Sequence, residues 1–208
     1  MALSNIALTS AMRANLYSLQ GTTDLMELTQ GRLSTGKKVN SALDDPIAYF
    51  AAEAHTQRAS DLSVLKDEMS EGIQTITAAN NGIEAITDLV ASAKSIAQSA
   101  LASSSTSERS DYATQFDALL DQIDDLAADA QYKGTNLLDS DNLTINFNED
   151  ATSFLTVTGF DASATGLGIA DAVGSWTAAS ADSDITDAIS DLDDARSTLR
   201  TESKNLSS

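Results

Sequence analysis

The chain holds one histidine and no cysteine, so the side chains that most often supply nucleophiles, general bases and zinc ligands are scarce. His55 lies in a segment of helical periodicity, close to Glu53 and Arg58. A zinc site needs several nitrogen or sulfur ligands, and a catalytic triad needs a nucleophile and an orienting group beside the histidine. Neither can be assembled around His55. We therefore expect no enzyme active site, no bound metal and no cofactor.

The aspartates offer the next possibility, a calcium-binding loop. Asp139, Asp141 and Asp150 have the spacing of a first, third and last ligand in such a loop. The turn position that requires glycine is Thr144, the fifth position is Leu143, and the last ligand is not glutamate. The pattern predicts a solvated loop. A further acidic group fits the polar outer face of the last predicted helix: Asp191, Asp193 and Asp194.

Charge is distributed unevenly along the 208 residues, whose net charge is −19. Residues 1–40 carry a balance of +2 from Arg13, Arg32, Lys37 and Lys38 against Asp24 and Glu27, which leaves −21 on the remainder (−19 minus +2). Such an acidic surface repels polyanions, so neither nucleic acid nor an anionic membrane is an expected partner. No apolar run is long enough to span a bilayer, and the N-terminus lacks the pattern of a cleavable secretory signal.

Residues 3–33 have the periodicity of a first amphipathic helix. Apolar side chains return every seven positions, with Leu16 widening the stripe: Met12, Leu19, Met26 and Leu33. A single helix of this kind is marginal in water. The chain offers this stripe no other partner, so we interpret it as a polymerisation surface.

A long helix follows, from about Asp45 to Leu101. Asp45 suits the N-cap, and Pro46 suits the first helical position, where no backbone N–H is required. Its core seam repeats every seven residues through Leu62, Met69, Ile76, Ile83 and Val90. The last helix, which starts near residue 182, has the same spacing in Ile185, Leu192, Leu199 and Leu206. We predict that these two seams pack together.

Between these helices, a capping pattern at Ser105 and Glu108 begins a further helix that ends near Gly134. Alternation in residues 143–158 predicts a β-hairpin, and residues 159–181 predict a loop over the helices. The predicted fold is mainly α, an elongated antiparallel, coiled-coil-like helical bundle with one small hairpin. Its predicted domains are a polymerisation helix at 1–33, a connector at 34–45, and a rod-like helical body at 46–208.

The connector region closely resembles a segment of bacterial flagellins. Residues 32–46 read R-L-S-T-G-K-K-V-N-S-A-L-D-D-P, where the family typically has R-L-S-S-G-L-R-I-N-S-A-K-D-D. The residues that carry the motif are Arg32, Gly36, Asn40, Asp44, Asp45 and Pro46. Residues 129–138 are similar to a second flagellin element, A-x-x-x-x-F-N-G-x-x-L-L.

The resemblance implies a secreted structural protein of the bacterial flagellum. It would be exported unfolded by the flagellar type III apparatus, with its first residues as part of the export address. Its partners would be other flagellin subunits and an export chaperone. Flagellins pair the first helix with a C-terminal helix that we expect this chain to lack, and the 208 residues are therefore expected not to polymerise.

Two alternatives remain. A hook–filament junction protein shares the connector pattern, including the Asp-Asp-Pro form, although the residue 129–138 element favours flagellin. A protein of another class would be an extracellular adhesin or immune ligand. Receptor-binding flagellins carry an R-V-R-E-L-A patch, of which only Lys94 corresponds to a charged position in residues 92–97 here.

Overall fold

The computed structural model describes residues 9–207, apart from the side chains of Val173 and Ser175. Within them lie four α-helices, one short 3-10 helix and a two-stranded antiparallel sheet. The elements in order are α1 (Ser10–Thr35), α2 (Pro46–Ala102), α3 (Thr106–Asp129), β1 (Asn142–Asn146), β2 (Phe154–Thr158), the 3-10 helix (Val173–Trp176) and α4 (Ala181–Leu206). The prediction of a mainly helical fold with one small hairpin is confirmed.

The chain divides into two compact units, one up to Ser60 and the other from Asp61 onward. The division falls inside α2, whereas the sequence pattern placed its segment boundaries at the connector. The first unit contains α1, the connector and the start of α2. The second contains the rest of α2 with α3, the hairpin and α4.

Helix α1 has well-defined ends. The Thr9 side chain accepts a hydrogen bond from the Met12 backbone N–H at 3.3 Å, which satisfies one free donor of the first turn. Gly36 ends the helix with a φ of +66°, a left-handed conformation that glycine adopts without steric cost. The helix therefore extends to Thr35, two residues past the predicted end at Leu33. Of the predicted start, residues 3–8 lie outside the described residues.

In the second unit α2 and α4 run antiparallel. The Lys94 ammonium pairs with Asp193 of α4 at 2.5 Å, and the Asn80 side chain donates to the Ser207 hydroxyl at 3.3 Å. Later residues of α2 therefore lie beside earlier residues of α4. Small side chains of α2 let the helices approach closely, because alanine fills little space: Ala79, Ala93, Ala97 and Ala100 are buried.

Helix α3 completes a three-helix packing. The Ser105 hydroxyl accepts from the Glu108 backbone N–H at 3.4 Å, so the predicted cap forms. Arg109 pairs with Asp182 at 2.6 Å, which places the first turns of α3 and α4 side by side. The helix contributes Phe116, Leu120 and Ile123 to the buried core.

The hairpin and the loop after it cover this packing. β1 pairs with β2 in a register that sets Ile145 opposite Leu155, and Ile145 is buried against Gly72 of α2. The loop that follows is fastened to α3 through carboxylates. Asp124 accepts from the Ala164 N–H and Asp117 from the Ala172 N–H, both at 2.7 Å.

Candidate assembly surfaces

Helix α1 exposes its apolar stripe. The five predicted polymerisation residues have exposed fractions between 47% and 83%: Met12, Leu16, Leu19, Met26 and Leu33. Leu25 and Leu28 are exposed as well, and no residue of α1 is buried. Monomeric proteins rarely leave so many large apolar side chains in contact with water, so this stripe is a candidate interaction surface.

The connector between α1 and α2 is held by a carboxylate. One oxygen of Asp44 accepts hydrogen bonds from the backbone N–H groups of Asn40 and Ser41, at 3.0 and 3.1 Å. These hydrogen bonds lower the pKa of the Asp44 carboxyl, and the bond from Asn40 has the largest effect. The charge of Arg32 acts in the same direction. The Thr35 hydroxyl donates to the Asn40 side-chain oxygen at 2.7 Å. The loop therefore has one defined shape.

The other motif residues mark the connector's two ends. Gly36 follows the last turn of α1, and Pro46 is the first residue of α2. An oxygen of Asp45 accepts from the Ala48 N–H at 3.1 Å, which caps α2 as the sequence predicted. Arg32 is half-buried, and within the described residues its Nε atom has no hydrogen-bond partner. All six motif residues thus lie at or beside this one turn.

The predicted seam residues are placed unequally. Six of them are buried in the second unit: Ile83, Val90, Ile185, Leu192, Leu199 and Leu206. Met69 and Ile76 are half-buried. Leu62 is 47% exposed, and here the structure contradicts the predicted core position. The reason is length: the described part of α4 reaches only to the level of Asn80, and the hairpin covers α2 near Gly72.

Three positions that hold the second unit together were not singled out from the sequence. Gly72 and Gly82 of α2 make room for Ile145 and Leu138, since a Cβ on Gly82 would lie 2.7 Å from Leu138 Cδ1. Asn136 is buried, and its side-chain nitrogen donates to the carbonyl oxygens of Ala127 and Ala128 at 2.8 and 3.0 Å. These two hydrogen bonds satisfy carbonyl groups of the last turn of α3, which have no partner within the helix. Helix α3 ends at Asp129, five residues before the end that the sequence predicted at Gly134, so the sequence pattern contained no local signal of this role.

The groups considered for chemistry remain apart. His55 is exposed on α2. Asp141 accepts a hydrogen bond from the Asn136 N–H at 2.8 Å, so it supports a turn. Among the described residues no group of three or more His, Cys, Asp or Glu side chains is placed to bind a metal. Nor does any described helix have the length and apolar character needed to cross a membrane.

The exposed apolar stripe of α1 in the first unit and the packed helices of the second unit fit a structural protein that contacts other proteins. The chain belongs to the bacterial flagellin family, whose members are structural proteins of the flagellar filament. Residues 4–143 match the family description "Bacterial flagellin N-terminal helical region".

Comparisons with individual relatives agree. The chain is 32% identical to flagellin FljO of Caulobacter vibrioides over 184 residues, which is 87% of this chain and 67% of that protein. It is 33% identical to flagellin FljM of the same organism, with the same shares covered. Flagellin B of Vibrio cholerae is 31% identical over 62% of this chain and 34% of its own length.

Among solved structures, Bacillus cereus flagellin has the same fold, with a TM-score of 0.50 at 16% identity. The match covers 69% of this chain and 85% of that one. The matching relatives are flagellins, in agreement with the family that the connector motif indicated.

Proposed function

We propose that this chain is exported unfolded through the flagellar type III apparatus and takes part in filament assembly through α1. The observation that carries the proposal is the exposed apolar stripe of α1, which nothing in residues 9–60 covers. A helix of 26 residues with no buried residue gains most of its stability from a partner. Other flagellin subunits supply such a partner in a filament, and an export chaperone supplies one before assembly.

The connector supports this role because its hydrogen bonds set how α1 leads into the start of α2. Its bonds join residues at most five positions apart, so the turn keeps its shape without a partner. A defined turn reduces the entropy lost when a subunit docks.

We further propose that the 208 residues by themselves do not form filaments. They present one described helix with an unpaired apolar stripe, and a net charge of −19 makes copies repel one another. A second amphipathic helix of about thirty residues, comparable in length to α1, would pair with this stripe in coiled-coil fashion.

Seeded assembly tests both proposals. The 208-residue chain, and the same chain extended by an amphipathic helix, are incubated with filament seeds and followed by sedimentation and negative-stain electron microscopy. We expect filaments only from the extended chain. A Leu19→Asp, Met26→Asp double variant of it should remain in the supernatant, whereas Phe154→Asp, on the exposed face of the hairpin, should not prevent assembly. Regular filaments from the 208 residues alone, or from the double variant, would overturn this account.

The export proposal has its own test. Residues 1–40 fused to a reporter should be secreted by cells with a functional flagellar type III apparatus and retained by cells that lack it. Equal secretion by both strains would contradict it.

A further inference from the structure

A groove between α2 and α4 carries charge opposite in sign to the rest of the molecule. It has a volume of about 530 Å³, and its α4 wall holds the basic stripe, defined as Arg196, Arg200 and Lys204. The three residues are four positions apart and exposed, so they follow one side of the helix. Within residues 9–207 neither Arg196 nor Arg200 has an ion-pair or hydrogen-bond partner.

The opposite wall reduces this positive charge without cancelling it. Glu84 and Asp88 of α2 line the groove, and Ile83 and Leu199 form part of its apolar surface. Three cations therefore face two anions, in a chain whose net charge is −19. A positive groove with an apolar floor fits the acidic side of a helix better than it fits a small anion.

The same chain carries a matching acidic surface on α3. The acidic stripe, defined as Asp121, Asp125 and Asp129, is exposed and has the same four-residue spacing. Asp117 and Asp124 of the same helix bond the loop that follows the hairpin, but the described structure gives the acidic stripe no such partner. Each stripe covers about 12 Å, since an α-helix rises about 1.5 Å per residue.

We propose that the acidic stripe of one copy docks in the α2–α4 groove of a second copy, against the basic stripe. The inference rests on the proposed filament role, because it requires many copies to meet. The two surfaces differ, so the contact is head-to-tail and leaves a free groove and a free acidic stripe at opposite ends of every pair. Such contacts continue into open arrays when the rotation between copies does not close a ring.

The strength of this contact between charged stripes should depend on salt concentration. At an ionic strength of about 0.01 M charges interact over about 30 Å, so whole copies repel one another. At about 0.15 M this range falls to about 8 Å, and the paired stripes remain within it. Association is therefore strongest at intermediate salt and weakens again when high salt screens the stripes.

Directed cross-linking tests the contact in the 208-residue chain, which has no native cysteine. One copy carries Ala118→Cys beside the acidic stripe, and a size-tagged copy carries Ser197→Cys beside the basic stripe. Both positions are exposed, and neither substitution removes a charge. We expect mixed disulfides to exceed each symmetric disulfide by about fivefold or more at about 0.15 M salt, where short-range ion pairs survive screening.

Charge reversal then identifies the partner. Reversing the basic stripe in the Ser197→Cys copy (R196E, R200E, K204E) should abolish the excess of mixed disulfides. Reversing the acidic stripe in the other copy (D121K, D125K, D129K) should restore it, as expected for directly coupled sites. A matched control with the same change in net charge (D67K, D139K, D150K) should not restore it. All three control positions are exposed.

Mixed disulfides at no more than about twice the yield of each symmetric one, which is the statistical ratio for equal concentrations, or rescue by the control, would overturn the proposal. Circular dichroism of each variant verifies that the helices are retained. The cross-link yield is measured on soluble copies. The cross-link can therefore be absent while the extended chain still forms filaments. Equally, the cross-link can form when filament assembly does not occur. The two proposals are thus separately testable.

Discussion

Two aspartates respond to their surroundings in opposite directions. At Asp44, hydrogen bonds from two backbone N–H groups favour the charged form and lower the pKa. At Asp117, burial against the loop disfavours the charged form and raises the pKa, although the Ala172 N–H acts against it. The first carboxylate shapes an exposed turn, whereas the second fastens a loop to the core, and pH therefore affects them differently.

The connector should lose its shape in acid. Because the pKa of Asp44 is lowered by folding, its contribution is complete above the ordinary value of 3.8 and is lost as pH falls through the folded value. We expect amide protection at Asn40 and Ser41 to persist from neutral pH to about that ordinary value and to disappear below the folded one.

Two variants check this assignment at neutral pH. Asp44→Ala should remove protection at both amides, while Asp45→Ala should affect the Ala48 amide instead. Retained protection at Asn40 and Ser41 in the Asp44 variant would show that the carboxylate does not hold the turn.

Asp117→Asn should leave the second unit as stable as before, or more stable by up to about 1 kcal/mol at neutral pH, because an amide oxygen can still accept the Ala172 N–H without a half-buried charge. Because the pKa of the native carboxyl is raised, its stabilising contribution is complete below pH 3.8, the ordinary pKa. That contribution is lost as pH rises through the folded pKa. Urea unfolding followed by the single tryptophan, which is buried in this loop, measures both effects. Asp124→Ala removes an acceptor outright and should lower stability. A large loss in Asp117→Asn would mean that the negative charge itself is required.

At the scale of elements, close approach to α2 depends on glycine. Gly82→Ala should destabilise the second unit by about 1–3 kcal/mol, because its new methyl group would meet Ala130 Cβ at 2.9 Å as well as Leu138. Gly21→Ala of α1 has open space around it and should not change the unfolding midpoint of the second unit. Thermal melting distinguishes the two. Equal melting temperatures would show that Leu138 moves aside without cost.

The sequence predicted the helices well because seven-residue apolar spacing, Ser105, Asp45 and Pro46 are local signals. It could not predict how far a partner helix extends, and so it placed Leu62 in the core beside Ile83. Gly72, Gly82 and Asn136 were missed for a related reason. The roles of Gly72 and Gly82 depend on Ile145 and Leu138, which come from a distant part of the chain. Asn136 acts on carbonyl groups eight and nine residues before it, through a turn whose shape the sequence pattern did not predict.

At the scale of the whole molecule, the buried core lies in the second unit, where α2, α3 and α4 pack together. Ile83→Asp should unfold the second unit, since a buried carboxylate without a partner costs several kcal/mol. Leu62→Asp is the matched control, because the same substitution at an exposed site of the same helix should change stability by no more than about 0.5 kcal/mol. Circular dichroism on heating measures both variants. A native melting temperature for Ile83→Asp would disprove the assigned helix register.

The antiparallel pairing of α2 with α4 has a consequence for the order in which the chain folds. Lys94 and Asp193 are 99 positions apart, while the connector's Asn40 and Asp44 are four apart. Closing the longer loop costs about 3 kcal/mol more in chain entropy, so the connector turn forms early and α4 docks late. A chain that arrives from its N-terminus can already have α2 and α3 side by side before α4 appears. The α2–α4 groove, and with it the basic stripe facing α2, is then the last surface of the body to come into existence.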